Sequence, residues 1–416
     1  MHELKLLTKA WLGDEETRFS LPAGWEATVY DAPGAPVLPP VAIGQALAQP
    51  TGCRRLAETA AGNRSAAIVV DDLTRPTPAG EVIPFILAEL HAAGVPDDGI
   101  SFVIGVGTHR SVTAEEAAKK VGAEIAARYP VICHEAFSGN LIGLGNLDDG
   151  TPLYLSEVVV RADVRIFVTS VIPHSGACFG GGAKLVLPGV TGYVTTHYNH
   201  RQLPKRPRGL LTHAAPDDLR DGAVKAARRL GVDMSVNVVC DTRRRIVGVF
   251  AGDIEEAHDA ACRYAYGVYE TPIPKEAAQA TDILIIDSYP QDNDTQCFYK
   301  SLWPREYFPN AYHVMINPCT DRVWFHGLTL GMDYARFLRL EAQRPPAPPR
   351  PRLPIGQRGQ LLTLSEGYPP EEYYKRYPDA VLYAAWPELM TDLARVCPQA
   401  KVAVIPCAPL QMIRLE

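Results

Sequence analysis

The chain has 416 residues, of which 47% are hydrophobic and 21% charged, a composition typical of globular proteins and a length that favours two domains. The formal net charge of −6 argues against nucleic acid or an anionic membrane as a partner, and no apolar run approaches the ~20 residues that a membrane helix needs. The start lacks a signal-peptide core, and the nine cysteines form no Cys-x-x-Cys pair, so we expect a cytoplasmic protein without a thiolate zinc site.

Short β-branched runs alternate with amphipathic segments from residue 66 onwards. The pattern predicts, in chain order, strand 66–70, helix 81–93, strand 101–106, helix 114–120, strand 164–170, helix 222–230 and strand 235–239. Alternation of this kind is typical of a mostly parallel sheet with helices on both faces.

A second region follows the prolines of segment 269–274, which break any helix and suit a linker or hinge. Buried strands are predicted there at 283–286, 313–316, 361–364 and 402–405. We therefore predict an α/β protein of two domains, 1–270 and 276–416, each with a mostly parallel sheet flanked by helices. The Pro/Arg-rich segment 343–354 is interpreted as an extended surface loop.

The most distinctive stretch, 173–189, reads PHSGACFGGGAKLVLPG and contains three consecutive glycines shortly before Lys184. A Gly-rich turn lets backbone N–H groups approach a phosphate closely. The nucleoside-triphosphate loop requires Gly-Lys-Ser/Thr, whereas Ala183 precedes this lysine and Leu185 follows it. The lysine therefore has another use, although a plain anion-binding loop remains an alternative.

Polar residues also follow two predicted strands, where open α/β sheets bind their ligands. Asp71, Asp72, Thr74 and Arg75 come after strand 66–70, and the planar fork of Arg75 suits a carboxylate or phosphate. The alternative is a turn with a surface ion pair. His109 follows strand 101–106 and is expected to point into a cleft, although a lone histidine there is often structural.

Two more histidines, His197 and His200, have the spacing that places both imidazoles on one face of a helix. Imidazole suits zinc, copper, iron or nickel, but the Glu of a His-Glu-x-x-His protease is absent. The residues alone leave three interpretations: a catalytic site, a non-catalytic α/β anion- or nucleotide-binding protein with structural histidines, and a zinc hydrolase that uses His197 and His200.

Taken together, these segments resemble the lactate racemases that use a nickel-pincer nucleotide. The resemblance rests on DDLTRPTP at 71–78, GTHR at 107–110, His174 followed ten residues later by Lys184, and His200 sixteen residues further on. It implies a pyridinium-3-thioamide-5-thiocarboxylic acid mononucleotide that carries nickel and is linked covalently to Lys184. It also implies nickel ligation by His200 and acid/base roles for His109 and His174. The remaining cofactor-binding residues that it implies are Asp72, Thr74, Arg75, Gly181 and Gly182.

The C-terminal part departs from the family pattern, in which a Gln is followed three residues later by a Lys. Lys300 matches the lysine, but Cys297 stands in place of the glutamine. The resemblance implies an active site in the interdomain cleft, with Arg75, Cys297 and Lys300 binding the substrate. Loss of the amide predicts a 2-hydroxy acid other than lactate, or one bulkier than it, whose side chain would meet Cys297, Phe298 and Trp303.

The resemblance thus implies a racemase or epimerase of a 2-hydroxy acid that works by hydride abstraction and return. Such a mechanism avoids deprotonating a weakly acidic α-carbon, and the histidines serve as proton acceptor and donor near neutral pH. The expected partners are a small 2-hydroxy acid and the enzymes that synthesise the cofactor.

Overall fold

The computed structural model describes residues 3–174, 177–201, 218–345 and 353–416. Most of the Pro/Arg-rich segment 343–354 and two residues of the Gly-rich stretch, Ser175 and Gly176, lie outside the described residues. The chain divides into two compact units. Unit 1 comprises Met1–Gly34, Gly267–Trp324 and Gln343–Glu416, and unit 2 comprises Ala35–Tyr266 and Phe325–Ala342.

The strands are β1 (Glu3–Thr8), β2 (Glu15–Ser20), β3 (Trp25–Val29), β4 (Ala66–Asp71), β5 (Ile100–Gly105), β6 (Val131–Cys133), β7 (Leu141–Asn146), β8 (Pro152–Ser156), β9 (Val164–Ser170), β10 (Pro173–His174), β11 (Cys178–Phe179), β12 (Met234–Cys240), β13 (Ile246–Gly252), β14 (Glu270–Ile273), β15 (Ile283–Asp287), β16 (Tyr312–Ile316), β17 (Leu361–Leu364), β18 (Val381–Tyr383), β19 (Ala400–Ile405) and β20 (Met412–Leu415).

The α-helices are α1 (Pro40–Ala48), α2 (Leu56–Thr59), α3 (Ala79–Ala92), α4 (Ala114–Val121), α5 (Ala123–Arg128), α6 (Glu157–Arg161), α7 (Tyr193–Arg201), α8 (Asp218–Leu230), α9 (Glu256–Tyr269), α10 (Lys275–Ala280), α11 (Thr295–Phe298), α12 (Gly327–Leu330), α13 (Tyr334–Glu341), α14 (Pro370–Arg376) and α15 (Trp386–Val396). Within the described part of the chain, no helix is long and apolar enough to cross a membrane.

The main sheet of unit 2 has six strands in the order β13-β12-β9-β4-β5-β6. All neighbours are parallel except β13, which runs antiparallel to β12. All six residues of the central strand β4 are buried, as expected for a parallel strand covered on both faces. The strands and helices predicted between residues 66 and 239 are all present, with ends shifted by a few residues.

The main sheet of unit 1 has the order β18-β17-β16-β15-β19-β3, and all of its strands are parallel. The predicted fold class, α/β with mostly parallel sheets flanked by helices, is therefore confirmed. We predicted that residues 1–34 belong to the N-terminal domain, 1–270. The structure instead groups them with the mainly C-terminal unit 1, because β3 extends this sheet beside β19.

The proline-containing segment near residue 270 is a strand, which corrects its interpretation as a linker. Residues 270–273 form β14, which pairs in parallel with β20, so that Pro272 lies opposite Arg414. A two-stranded ribbon accommodates proline because each strand has a free edge, where the missing N–H costs no hydrogen bond to a second strand. The segment therefore belongs to the ordered part of unit 1.

Strand order in unit 2 determines where its polar residues meet. From β4 the sheet continues through β5 and β6 on one side and through β9 and β12 on the other. Such a reversal of direction opens a crevice at the carboxyl ends of the central strands, which is where open α/β sheets bind ligands. The segments that follow β4, β5 and β9 carry Asp72, His109 and the Gly-rich loop, respectively.

Candidate active site

A buried ion pair anchors the turn that follows β4. The Asp71 carboxylate lies 2.5 Å from the Nζ of Lys120 and accepts hydrogen bonds from the hydroxyls of Thr77 (2.6 Å) and Thr169 (2.8 Å). Lys120 also donates to the backbone carbonyls of Asp72 (3.0 Å) and Arg75 (3.1 Å), and its side chain is only 1% exposed. The turn is thereby fixed to both β9 and α4. Asp71 thus stabilises the turn, whereas Asp72 contacts His109.

Asp72 orients His109. Its Oδ2 lies 2.6 Å from Nδ1 of the imidazole, while its Oδ1 accepts from the N–H (3.0 Å) and the hydroxyl (2.5 Å) of Thr74. Burial opposes ionisation of Asp72, but the charge and hydrogen bond of His109, together with the charge of Arg75, hold its pKa below the ordinary value. With Nδ1–H donating to this carboxylate, Nε2 of His109 is left as the proton-accepting atom.

Arg75 is half-buried beside this pair. Its Nη1 donates to the Thr74 hydroxyl at 2.7 Å and to the Thr74 carbonyl at 3.2 Å. These contacts link Arg75 through Thr74 to Asp72, so the three residues expected to line the site form one connected group.

The Gly-rich loop has a backbone that only glycine adopts readily. Gly181 and Gly182 have φ angles of +89° and +53°, and a Cβ on Gly181 would lie 2.9 Å from the carbonyl oxygen of Ser170. A Cβ on Gly182 would lie 2.8 Å from the ring of His258. The backbone N–H of Gly182 donates to the side-chain oxygen of Asn237 (3.1 Å). The two glycines are thus required for the loop to lie directly on the sheet, before the short 3-10 turn Gly182–Leu185 that carries Lys184.

His258 supports this loop from α9. Its Nε2 donates to the carbonyl of Gly180 (2.9 Å), and its Nδ1 accepts from Arg220 (2.7 Å). Burial, and then the charge of Arg220, lowers its pKa to about 4, so the ring is neutral at neutral pH. The sequence did not single out His258, because it lies far along the chain from the loop and belongs to no motif.

His200 lies on α7, as expected, and one nitrogen of its imidazole is held by the helix backbone. Its Nδ1 donates to the carbonyl of Thr196 at 2.9 Å, which leaves the lone pair of Nε2 for a ligand. Burial, and then the positive charge of Lys184, lowers its pKa to about 3, so the ring is neutral. The effect of the Lys184 charge on the pKa of His200 indicates that the two side chains share one environment, although they lie sixteen residues apart in the chain.

His197 has a different environment on the same helix. Its ring lies 5.5 Å from the ring of Tyr193, which in turn stacks on Phe137 at 4.8 Å. Across the described ranges, no group of three or more His, Cys, Asp or Glu side chains is arranged to hold a metal ion. Nothing in this geometry favours the zinc-hydrolase alternative.

His174 lies in β10, paired with Cys178 of β11, and is half-buried at the start of the Gly-rich loop. Its expected role as the second acid/base group stays a prediction. His326 is a residue that the sequence did not single out: its Nδ1 accepts from the N–H (3.1 Å) and hydroxyl (2.8 Å) of Thr329 at the start of α12. After burial and the charge of Lys184, His326 also contributes to lowering the pKa of His200.

The expected substrate residues of unit 1 lie in helix α11 and in the 3-10 turn Tyr299–Ser301 that follows it. Cys297 is buried, and its Sγ accepts a long hydrogen bond from the Nζ of Lys300 (3.8 Å). Phe298 is fully buried among Tyr368, Tyr373 and other rings of the core, which argues against the expected contact between Phe298 and a substrate side chain. The roles of Cys297 and Lys300 in substrate binding stay predictions.

Comparison with known proteins shows a similarity to lactate racemases. Residues 12–209 match the family model described as the lactate racemase N-terminal domain. Over this range, which is just under half of the chain, the protein is similar to the lactate racemases. It is 32% identical over 235 residues to the lactate racemase of Lactiplantibacillus plantarum, an alignment that covers 55% of this chain and 54% of that relative. It is 28% identical over 256 residues to the lactate racemase of Thermoanaerobacterium thermosaccharolyticum, covering 61% and 59% of the two chains.

These alignments span little more than half the length of the two relatives. Similarity of fold extends further. The lactate racemase apoprotein from T. thermosaccharolyticum superposes with a TM-score of 0.69 at 21% identity, covering 99% of this chain and all of that one. A Thermotoga maritima protein of solved structure gives a TM-score of 0.63 at 16% identity, covering 91% and 99%. At such identities these matches show similarity of fold alone.

Proposed function

We propose that this protein racemises or epimerises a 2-hydroxy acid, using a nickel-pincer nucleotide attached to Lys184. The observation that carries the proposal is the arrangement in unit 2, where the carboxyl ends of neighbouring strands present a His109–Asp72 pair and a Gly-rich loop with Lys184. Two relatives named as lactate racemases support the reaction class. All nine cysteines lie in the described residues and none of them forms a disulfide, which supports the cytoplasm as its location.

The residues of unit 2 suit the implied cofactor. His200 would ligate nickel through Nε2, because its Nδ1–H is held by the Thr196 carbonyl and its ring is neutral. Lys184 would carry the covalent link, and its charge acts on His200, which suits one group bound by both. When bound, the nucleotide would supply the carbon that accepts a hydride and returns it to the substrate.

The chain's own residues move the hydroxyl proton. His109 accepts it at Nε2, while Asp72 holds Nδ1–H and stabilises the imidazolium that forms. His174 is assigned the same role toward the opposite enantiomer, so that each histidine acts as base in one direction and as acid in the other. Arg75, half-buried beside Asp72, is assigned to the substrate carboxylate through its planar fork.

The proposal is tested with protein produced together with the cofactor-synthesis enzymes, because the unmodified chain lacks the reactive group. Enantiopure 2-hydroxy acids are incubated with this protein, and the ratio of enantiomers is followed by chiral chromatography. Intact mass and nickel content are measured on the same sample.

The matched variant Lys184→Arg keeps the charge but cannot form the covalent link. We expect inversion of configuration, added mass and nickel in the parent, and loss of added mass and activity in the variant. Unchanged turnover in the variant would remove Lys184 from the mechanism. A parent that carries the added mass but inverts no 2-hydroxy acid would contradict the proposed reaction.

A further inference from the structure

A pocket of about 240 Å³ lies beside His109 and is lined by unit 2 alone. Its apolar walls include Phe137, Phe325 and Tyr334, and the last two rings pack edge to face with centroids 5.0 Å apart. Its volume is below the ~300–1,000 Å³ of pockets for drug-sized ligands, and it suits a fragment of about one ring.

The far wall of the pocket is tied to the loop that carries His109. The N–H of Gly327 donates to the carbonyl of Thr108 at 3.0 Å, and a Cβ at Gly327 would lie 2.5 Å from that same oxygen. This close backbone contact fixes the segment with Phe325 and Tyr334 relative to the imidazole. The pocket is therefore a formed cavity, with the expected proton acceptor as part of its wall.

The charged side chains around this pocket are acidic. Glu135 and Asp333 line it, and none of the described lining residues is a lysine or arginine. The nearby Arg110 is held in an ion pair by Glu116 (2.6 Å), and Asp333 accepts the N–H of Arg336 (2.7 Å) at the start of α13. A second carboxylate on a substrate would meet like charge here without a cation to offset it.

We infer that this pocket receives the substituent on C2 of the 2-hydroxy acid, and that this substituent is an uncharged aromatic ring. The inference rests on the proposed function, because it takes His109 as the group that meets the substrate hydroxyl. C2 carries both the hydroxyl and the substituent, so a substituent directed into the adjoining cavity contacts Phe137, Phe325 and Tyr334. The acidic rim disfavours dicarboxylic hydroxy acids.

The test compares phenyllactate, lactate and malate as substrates of the cofactor-loaded protein. In the parent, we expect kcat/KM to be highest for phenyllactate and lowest for malate. Tyr334→Ala should lower the phenyllactate-to-lactate ratio of kcat/KM about tenfold, mainly through KM, because one ring of an aromatic pair is lost. Glu135→Lys should raise the malate-to-lactate ratio by a similar factor at low salt.

Glu124→Lys is the matched control, because it makes the same charge change at an exposed position of α5 outside the pocket. It should leave both ratios unchanged. Circular dichroism shows whether Tyr334→Ala is folded, and Glu135→Lys tests the pocket independently of that variant. Ratios that equal those of the parent in both pocket variants would overturn the inference.

Binding measured by titration calorimetry separates this inference from the proposed function. If the loaded parent racemises none of the three acids, the proposed function fails. The pocket is then judged by whether phenyllactate binds more tightly than malate, and whether Tyr334→Ala weakens only the former. If lactate is racemised but both pocket variants bind and turn over all three acids as the parent does, the inference fails alone.

Discussion

Lys120→Met should destabilise the protein strongly, because the Lys120 side chain on α4 is almost completely buried. The Lys120 ammonium lies 2.5 Å from the Asp71 carboxylate and donates to the carbonyls of Asp72 and Arg75. Burial lowers its pKa, and Asp71 opposes that effect. Removing the ammonium leaves the buried Asp71 carboxylate without its cationic partner and removes one donor from each of the two carbonyls.

Breaking a buried pair by removing one partner costs about 3–5 kcal/mol. The neighbouring Lys119 provides the control: it is partly exposed and forms an i,i+4 pair with Glu115 (3.0 Å), so Lys119→Met should cost less than about 1 kcal/mol. Adding Asp71→Asn to Lys120→Met removes the orphaned charge and should recover part of the loss.

The assay is the free energy of unfolding from urea titrations, followed by circular dichroism. The two single variants should differ by at least about 2 kcal/mol. If Lys120→Met is as stable as Lys119→Met, the turn after β4 does not depend on this buried pair, and the reasoning is refuted.

Three further predictions concern the histidines. His109→Ala and His174→Ala should each lower racemisation in both directions by ~10²–10⁴-fold, and a parent-like rate in either variant would remove that residue from the two-base scheme. His200→Ala should keep the fold but lose nickel, whereas His197→Ala should keep most of the metal, and the reverse result would move the ligand to His197. His258 has its pKa lowered to about 4, so the unfolded state binds more protons between pH ~6.5 and ~4. As the pH falls through that range, this residue should therefore lower the free energy of unfolding by up to about 3 kcal/mol. His258→Gln should flatten the pH profile.

The elements that could be predicted from the sequence are those with a strong local signal. The runs at 66–70 and 164–170 are rich in β-branched residues, and both are central strands of unit 2. The elements that could not be predicted depend on distant partners. β3 has a weak apolar pattern and is a strand because it pairs with β19, about 375 residues further along the chain.

The candidate site shows the same division. Asp72, His109, Lys184 and His200 follow predicted elements or occupy a recognisable spacing, and the structure gives Asp72 with His109, and Lys184 with His200, a shared environment. His258 acts through a contact between α9 and the Gly-rich loop, for which no local pattern exists. The buried state of Lys120, the role of His326 and the pocket beside His109 likewise arise only from tertiary packing.

The most direct test of the central claim is the fate of the α-hydrogen during inversion. An enantiopure 2-hydroxy acid deuterated at C2 is incubated with the cofactor-loaded protein in ordinary water, and both enantiomers of the product are analysed by mass spectrometry. Hydride abstraction and return predict an inverted product that retains its deuterium. Inversion with loss of deuterium to the solvent would show proton abstraction at carbon and would contradict the account.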